Sequence, residues 1–222
     1  MVLLVPDDIP ENGAMTVAGS ISDAQRVYRD WDPRISKLLK LCDNVYKWKL
    51  CIRHDNLENW YHPSRTFVLL GDSVHATLPY LASGYLSPPL HIPLYLPNRP
   101  NKKSPSRAGM ALEDGAVLGQ LLSFTHSKSD LPLVLQAYQT CRRQRVARVV
   151  ERSNLQQHLY HLHDGPEQEE RDKRLQEVPT RPGEVLGWRD PELAPWLLQY
   201  DAYQDAEKHW AAVMASRVQG SP

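Results

Sequence analysis

Apolar and polar positions alternate from Val45 to Arg53. Tyr46, Trp48, Leu50 and Ile52 fall on one side, and Lys47, Lys49 and Arg53 on the other. A period of two with one polar side predicts a half-buried strand, wet on one face. The opening MVLLV is apolar and β-rich until Pro6-Asp7-Asp8 stops it, so a strand is expected there too. Phe67 to Leu70, in TFVLLGD, is an unbroken apolar run that stops at Gly71-Asp72. That pattern predicts a strand buried on both faces.

Elsewhere the spacing is helical. SDAQRVYRDW, residues 22–31, starts on a cap residue and places Ala24, Val27 and Trp31 along one side. Asp32-Pro33 predicts a second helix, with Asp32 as cap, Pro33 in the first turn, and Ile35, Leu38, Leu39 and Cys42 as its apolar face. Ala108 to Ser123 predicts a helix with Met110, Val117 and Leu121 in one stripe and Ala111, Leu118 and Leu122 beside it. Glu113 and Asp114 are expected near its start, where carboxylates suit the helix dipole. Leu131-Pro132 opens another helix, expected to run to about Ser153, with Leu135, Tyr138 and Val149 inward. EQEERDKR, after Asp164-Gly165-Pro166, predicts a solvated segment, and Trp196 to Met214 is helical again.

Charge and composition narrow the classes. Lys+Arg and Asp+Glu are both 26, so no global field draws the chain to nucleic acid or to an anionic membrane. No apolar run is long enough for a membrane span. The N-terminus has no basic region of the kind that precedes a secretory signal. Cys42, Cys51 and Cys141 show no CxxC spacing and read as reduced thiols, which points to a cytoplasmic protein. Arg142, Arg143, Arg145, Arg148 and Arg152 lack the interleaved aromatics of a nucleic-acid platform. They are read as a solvated helix face or as salt bridges to another part of a larger protein. HLYHLH places His158 and His161 on one helical face without His163, so surface histidines are preferred to a metal site.

Residues 85–107 interrupt this pattern. They hold six prolines, four Lys or Arg and no acid. Such a stretch predicts irregular chain with polyproline character. It is read as a surface loop, as a proline-rich docking segment, or as a retained intron. The last is preferred: the stretch is a whole number of codons, and Gly84-Tyr85 and Arg107 permit splice signals at its two ends.

Without residues 85–107 the chain reads GDSVHATLPYLASG-AGMALEDGAVLGQLLS. This resembles the second FAD-binding motif of the class A flavin monooxygenases, in their salicylate hydroxylase-like branch. Their usual form is close to GDAAHxxxPxxxQGAGMALEDAxxL. The departures are Ser73, Val74 and Ser83. WDPR, KWKL, YQTCRRQRVARV, HLHDGPEQEERD and WLLQYDAYQDAEKHW extend the likeness over nearly the whole chain. The resemblance implies an α/β protein corresponding to the C-terminal part of the flavin monooxygenase fold. Residues 1–62 would be the tail of the substrate domain, 63–160 the second half of the FAD-binding domain, interrupted by 85–107, and 161–222 a C-terminal helical segment.

It further implies hydroxylation of a small aromatic substrate with FAD, NAD(P)H and dioxygen. Gly71, Asp72, Pro79, Gly84, Ala108, Gly109 and Met110 would face the cofactor. Asp72 would meet a ribitol hydroxyl, and Pro79 would lie beside the flavin ring. A carboxylate at the C-terminal end of a strand is where doubly wound sheets bind ligands. For His75, a hydrogen-bonded structural role is preferred to that of a catalytic base, because the sequence shows no orienting acid at known spacing. The family's GxGxxG has no counterpart in this sequence. Activity is therefore expected to require more than these 222 residues, and the alternative is a non-catalytic relative acting as a binding or interaction protein.

Overall fold

The computed structural model describes residues 2–52, 57–81, 108–177, 181–184 and 186–219. The chain divides into two compact units, Met1–Cys51 and Ile52–Pro222.

In the first unit, β1 (Thr16–Gly19) pairs antiparallel with β2 (Val45–Trp48), in a register that sets Thr16 opposite Trp48 and Gly19 opposite Val45. Between them lie α1 (Ile21–Val27) and α2 (Pro33–Leu39). The cap of α1 is Ser20, whose side chain accepts from the Asp23 N–H, so the helix starts before Ser22 and stops short of Trp31. Tyr28, at its end, is buried and donates its hydroxyl to the Leu4 carbonyl. Asp32 and Pro33 start α2 as their chemistry predicts, with Asp32 accepting from the Arg34 N–H at 2.9 Å. Leu39 is buried, whereas Leu38 is exposed.

Two expectations fail in this unit. Residues 2–5 are not a strand: no ladder partner takes up their backbone groups among the described residues. In β2 the alternation is present with its faces reversed. Tyr46 and Trp48 are 62% and 47% exposed, while Val45 and Lys47 are half-buried. Lys47 is held on the inner side by its ion pair with Asp8 at 2.5 Å.

The second unit is built on three helices, α4 (Ala108–Ser123), α5 (Leu131–Tyr160) and α8 (Ala202–Gln219), which pack against one another in all three pairings. Met110, Val117 and Leu121 supply the α4 share of the core, and Val134, Ala137, Tyr138, Val146 and Val149 that of α5. The short α3 (Asp72–His75) precedes α4. The solvated α6 (Pro166–Gln176) has no buried residue, as its charge pattern predicts.

The helical stretch 196–214 is two helices, α7 (Leu193–Leu198) and α8. Asp201 separates them by accepting from the backbone N–H groups of Tyr203 and Gln204. Helix α5 runs past Ser153 to Tyr160, and Ser153 is buried with its hydroxyl on the Leu78 carbonyl at 2.5 Å. The expected buried strand 67–70 is reduced to one antiparallel bridge, Tyr61 with Val68. Phe67 and Leu70 are exposed, because among the described residues no strand covers them.

The class is thus mixed α and β, with the sheet limited to short pieces. Among the described residues no helix is long and apolar enough to cross a membrane.

Candidate functional site

The chain turns sharply where the 66–70 segment ends. Gly71 has φ 62° and ψ −145°, a conformation that L side chains rarely adopt. A Cβ there would also stand 3.1 Å from the Ala111 Cβ. Glycine thus lets the turn approach α4 closely. The four residues of α3 then split by face. Asp72 and Ser73 are exposed, and Val74 and His75 are buried. The same division recurs at the 3-10 turn Pro79–Leu81, where Pro79 is exposed between buried Leu78 and Leu81. Asp72 and Pro79 are therefore presented outward on apolar anchors.

Gly109 is half-buried in the first turn of α4. Met110 is a core side chain, so what it could offer a ligand is backbone. Ala108 opens the helix. Gly84 and residues 85–107 lie outside the described residues, and the readings made of them with it.

Behind the turn is an ionic network centred on Asp114, which is fully buried. Its Oδ2 accepts from the Gly71 N–H at 2.8 Å and lies 2.6 Å from His75 Nε2. Its Oδ1 accepts from Arg142 Nε at 2.7 Å. Arg142, fully buried as well, also donates to Glu113 Oε2 at 2.8 Å. Arg145 grips Glu113 with two of its nitrogens, Nε to Oε2 at 2.8 Å and Nη2 to Oε1 at 2.7 Å. Arg145 then donates to the carbonyls of Trp196 and Leu197 at the end of α7.

Burial alone would raise the Asp114 carboxyl. The hydrogen bond from His75, the Arg142 charge and the Gly71 N–H outweigh it and hold the carboxyl below the ordinary range. The Arg142 guanidinium is desolvated, but Asp114 and Glu113 more than offset that and favour its charged form. Burial likewise pushes up the Tyr138 phenol, whose hydroxyl donates to the Leu69 carbonyl at 3.3 Å. Trp60 packs edge-on against Tyr138 and tilted against His75.

These contacts correct three expectations. His75 does have an orienting acid, Asp114. The sequence hid it because the two lie 39 positions apart. Glu113 and Asp114 are not first-turn dipole partners; they begin the second turn of α4 and face arginines. Arg142 and Arg145 are not on a solvated face, and their ion pairs lie within this chain. Arg143 and Arg148 stay exposed.

A signal for this network existed. Residues 110, 114, 117 and 121 share the core stripe of α4, and 138, 142, 145 and 149 that of α5. A charge on each of two such stripes marks a buried pair. The histidines of HLYHLH form no ligand cluster among the described residues; His161 meets the Tyr80 hydroxyl at 2.8 Å.

A glycine-aspartate turn thus follows an extended segment, with the N-terminal part of the 16-residue α4 packed beside it. No family model matches the chain. Its fold is shared with the salicylate hydroxylase substrate complex at a TM-score of 0.64 and 20% identity, covering 91% of this chain and 40% of that one. It is also shared with CtdE in complex with FAD and substrate 4, at 0.61 and 20%, covering 92% and 40%.

In sequence the chain is 35% identical over 208 residues to FAD-dependent monooxygenase OpS4 of Beauveria bassiana, covering 93% of this chain and 43% of that protein. It is 29% identical over 160 residues to hispidin-3-hydroxylase of Neonothopanus nambi, covering 71% and 32%. It is 28% identical over 153 residues to 3-amino-4-hydroxybenzoate 2-monooxygenase PtmB3 of Streptomyces platensis, covering 69% and 32%. The chain therefore spans less than half the length of these relatives. Its relationship is to the class A FAD-dependent monooxygenases, and it corresponds to the C-terminal part of their fold.

Proposed function

We propose that residues 71–79 and the first turn of α4 hold FAD, in an oxidoreductase that hydroxylates a small aromatic substrate with NAD(P)H and dioxygen. The observation that carries this reading is the Gly71-Asp72 turn. Glycine occupies a positive-φ position where a Cβ would press on α4, and the next carboxylate is exposed. Those features fit a cofactor that needs close backbone approach and a carboxylate acceptor.

In this reading Asp72 accepts from a ribitol hydroxyl, and Pro79 holds the chain rigid beside the ring. Gly84, Ala108, Gly109 and Met110 offer backbone groups. The N-terminus of the 16-residue α4 favours negative charge nearby. Asp114 and His75 keep the turn in place from behind. When bound, FAD supplies the redox chemistry, taking electrons from NAD(P)H and activating dioxygen; the protein positions and shields it.

The names of the relatives, which include hydroxylases of aromatic compounds, favour this over an interaction protein. We read residues 1–62 as the tail of the substrate domain, 63–160 as the second half of the FAD domain and 161–222 as the C-terminal helices. Residues 85–107 are read as an interruption that sequencing the mature transcript tests directly. Three free thiols fit a cytoplasmic setting.

The test is calorimetric titration of the chain with FAD, beside Asp72→Ala. Loss of a hydrogen bond to a charged acceptor, about 1.5–3 kcal/mol, predicts at least a tenfold weaker affinity for the variant. Equal binding by the two, or no FAD binding when the chain is joined to the N-terminal half of a full-length relative and residues 85–107 are removed, overturns the reading.

A further inference from the structure

Three different ligand types meet where α8 packs on the middle of α5. Cys141 of α5 and Asp205 and His209 of α8 bring a sulfur, a carboxylate oxygen and an imidazole nitrogen within 4.8 Å of one another. Asp205 and His209 are four positions apart on one helix, so they share a face. The Cys141 thiol donates to Asp205 Oδ2 at 3.2 Å, and the Tyr200 hydroxyl donates to the same oxygen at 2.8 Å. His209 Nδ1 lies 3.5 Å from Asp205 Oδ1 and 2.9 Å from the Asp205 main-chain oxygen. Cys141 is buried, while the side chains of Asp205 and His209 keep 28% and 32% of their surface open. The cluster is thus dry at the sulfur and reachable from solvent at the other two ligands.

The charge balance points the same way. The ion-pair partner of Asp205 among the described residues is His209, not a lysine or arginine. The guanidinium groups of Arg142 and Arg145 stand over the Tyr200 ring at 5.3 and 3.8 Å, and both are already matched by Asp114 and Glu113. The Asp205 carboxylate therefore faces a thiol proton, a phenol proton and an imidazole, where one divalent cation would satisfy the same lone pairs.

We propose that Cys141, Asp205 and His209 form a zinc-class metal site that clips α8 to α5, with water completing a tetrahedral shell. One thiolate, one imidazole and one carboxylate suit Zn2+ and its spectroscopic substitute Co2+. They do not suit Mg2+ or Ca2+, which take oxygen shells. On binding, the thiol proton is released to solvent and the sulfur lone pair goes to the metal. The site is separate from the flavin turn and does not depend on that reading.

The experiment is a Co2+ titration of the reduced full chain. The expected result is a sulfur-to-cobalt charge-transfer band and intense tetrahedral visible bands saturating at one equivalent. Zn2+ should abolish them and Mg2+ leave them. Cys42→Ser/Cys51→Ser should keep the band, which removes the other two thiols from consideration. Cys141→Ser should lose it, and His209→Ala, on the open side, should bind at least about tenfold more weakly. Zn2+ should raise the melting temperature of the unaltered chain and not that of Cys141→Ser. No charge-transfer band, a band that survives in Cys141→Ser, or unchanged affinity in His209→Ala overturns the proposal.

Discussion

Asp114→Asn separates a load carried by charge from one carried by shape. In the folded chain the two carboxylate oxygens have opposite duties. Oδ2 takes Gly71 N–H and His75 Nε2, and Oδ1 takes Arg142 Nε. Asparagine has the same shape but one acceptor. If its oxygen faces Gly71 and His75, its NH2 points at the Arg142 guanidinium; turned over, the NH2 points at the Gly71 N–H. Either way two donors oppose each other in a site with no solvent access.

Breaking a buried ion pair from one side costs about 3–5 kcal/mol. Arg142 keeps a second partner, Glu113 at 2.8 Å, which sets the expectation at the lower end, about 3 kcal/mol. That is large against the roughly 5–15 kcal/mol of a typical domain, yet it leaves a folded protein to measure. Urea unfolding followed by far-UV circular dichroism gives the difference. Amide exchange at Gly71 should accelerate with it, because that N–H is what Asp114 holds. Replacing both partners, Asp114→Asn with Arg142→Met, should cost less than the two single changes added together, since no buried charge is then left alone. A single variant within about 0.5 kcal/mol of the parent, the usual scale of a neutral surface change, would show that the network is a bystander.

Three further outcomes are expected. The Asp114 carboxyl is held below its ordinary value of 3.8, so its stabilising effect is full above that pH and is lost as pH falls through the folded value. Melting temperature should be flat from neutral pH to about 5 and drop below 4, and the drop should shrink in the double variant. Gly71→Ala combines a positive φ with a Cβ contact at 3.1 Å and should cost about 1–3 kcal/mol in urea unfolding, whereas Gly119→Ala, which meets nothing within 4 Å inside α4, should stabilise slightly. Leu121→Ala, fully buried, should cost about 2–5 kcal/mol, while Leu112→Ala on the exposed side of the same helix should stay within about 0.5 kcal/mol.

Local chemistry was legible in the sequence, and pairing was not. Asp32-Pro33 starts α2, and the stripe of Met110, Val117 and Leu121 is buried, because caps and periodicity act within one element. The faces of Val45–Trp48 came out reversed because a period of two fixes which residues share a face, not which face meets a core. Phe67–Leu70 has the composition of a two-sided buried strand, yet its backbone finds one bridge among the described residues. The Gly71-Asp72 turn was legible from its residue types. The Asp114 partnership was legible only as a charge on each of two core stripes; which charges meet depends on how α4 and α5 pack, and that brings positions 114 and 142 together.

The buried charges nevertheless make sense as a set. From the Gly71 turn, contacts run to Asp114, to Arg142, to Glu113, to Arg145, and end on the carbonyls of Trp196 and Leu197. The last step satisfies carbonyls that α7 leaves unpaired at its end. Each ion in the run touches at least one opposite charge, which is the condition for burying ions without a prohibitive desolvation cost. An apolar replacement could match that stability, so the argument for ions is geometric. Planar guanidinium forks fix the angle between α4 and α5 more narrowly than methyl groups do. The side that would face a cofactor and the end of α7 are thereby held by one hydrogen-bonded ladder, and a change at either end is felt through the same four side chains and the backbone groups at its terminals.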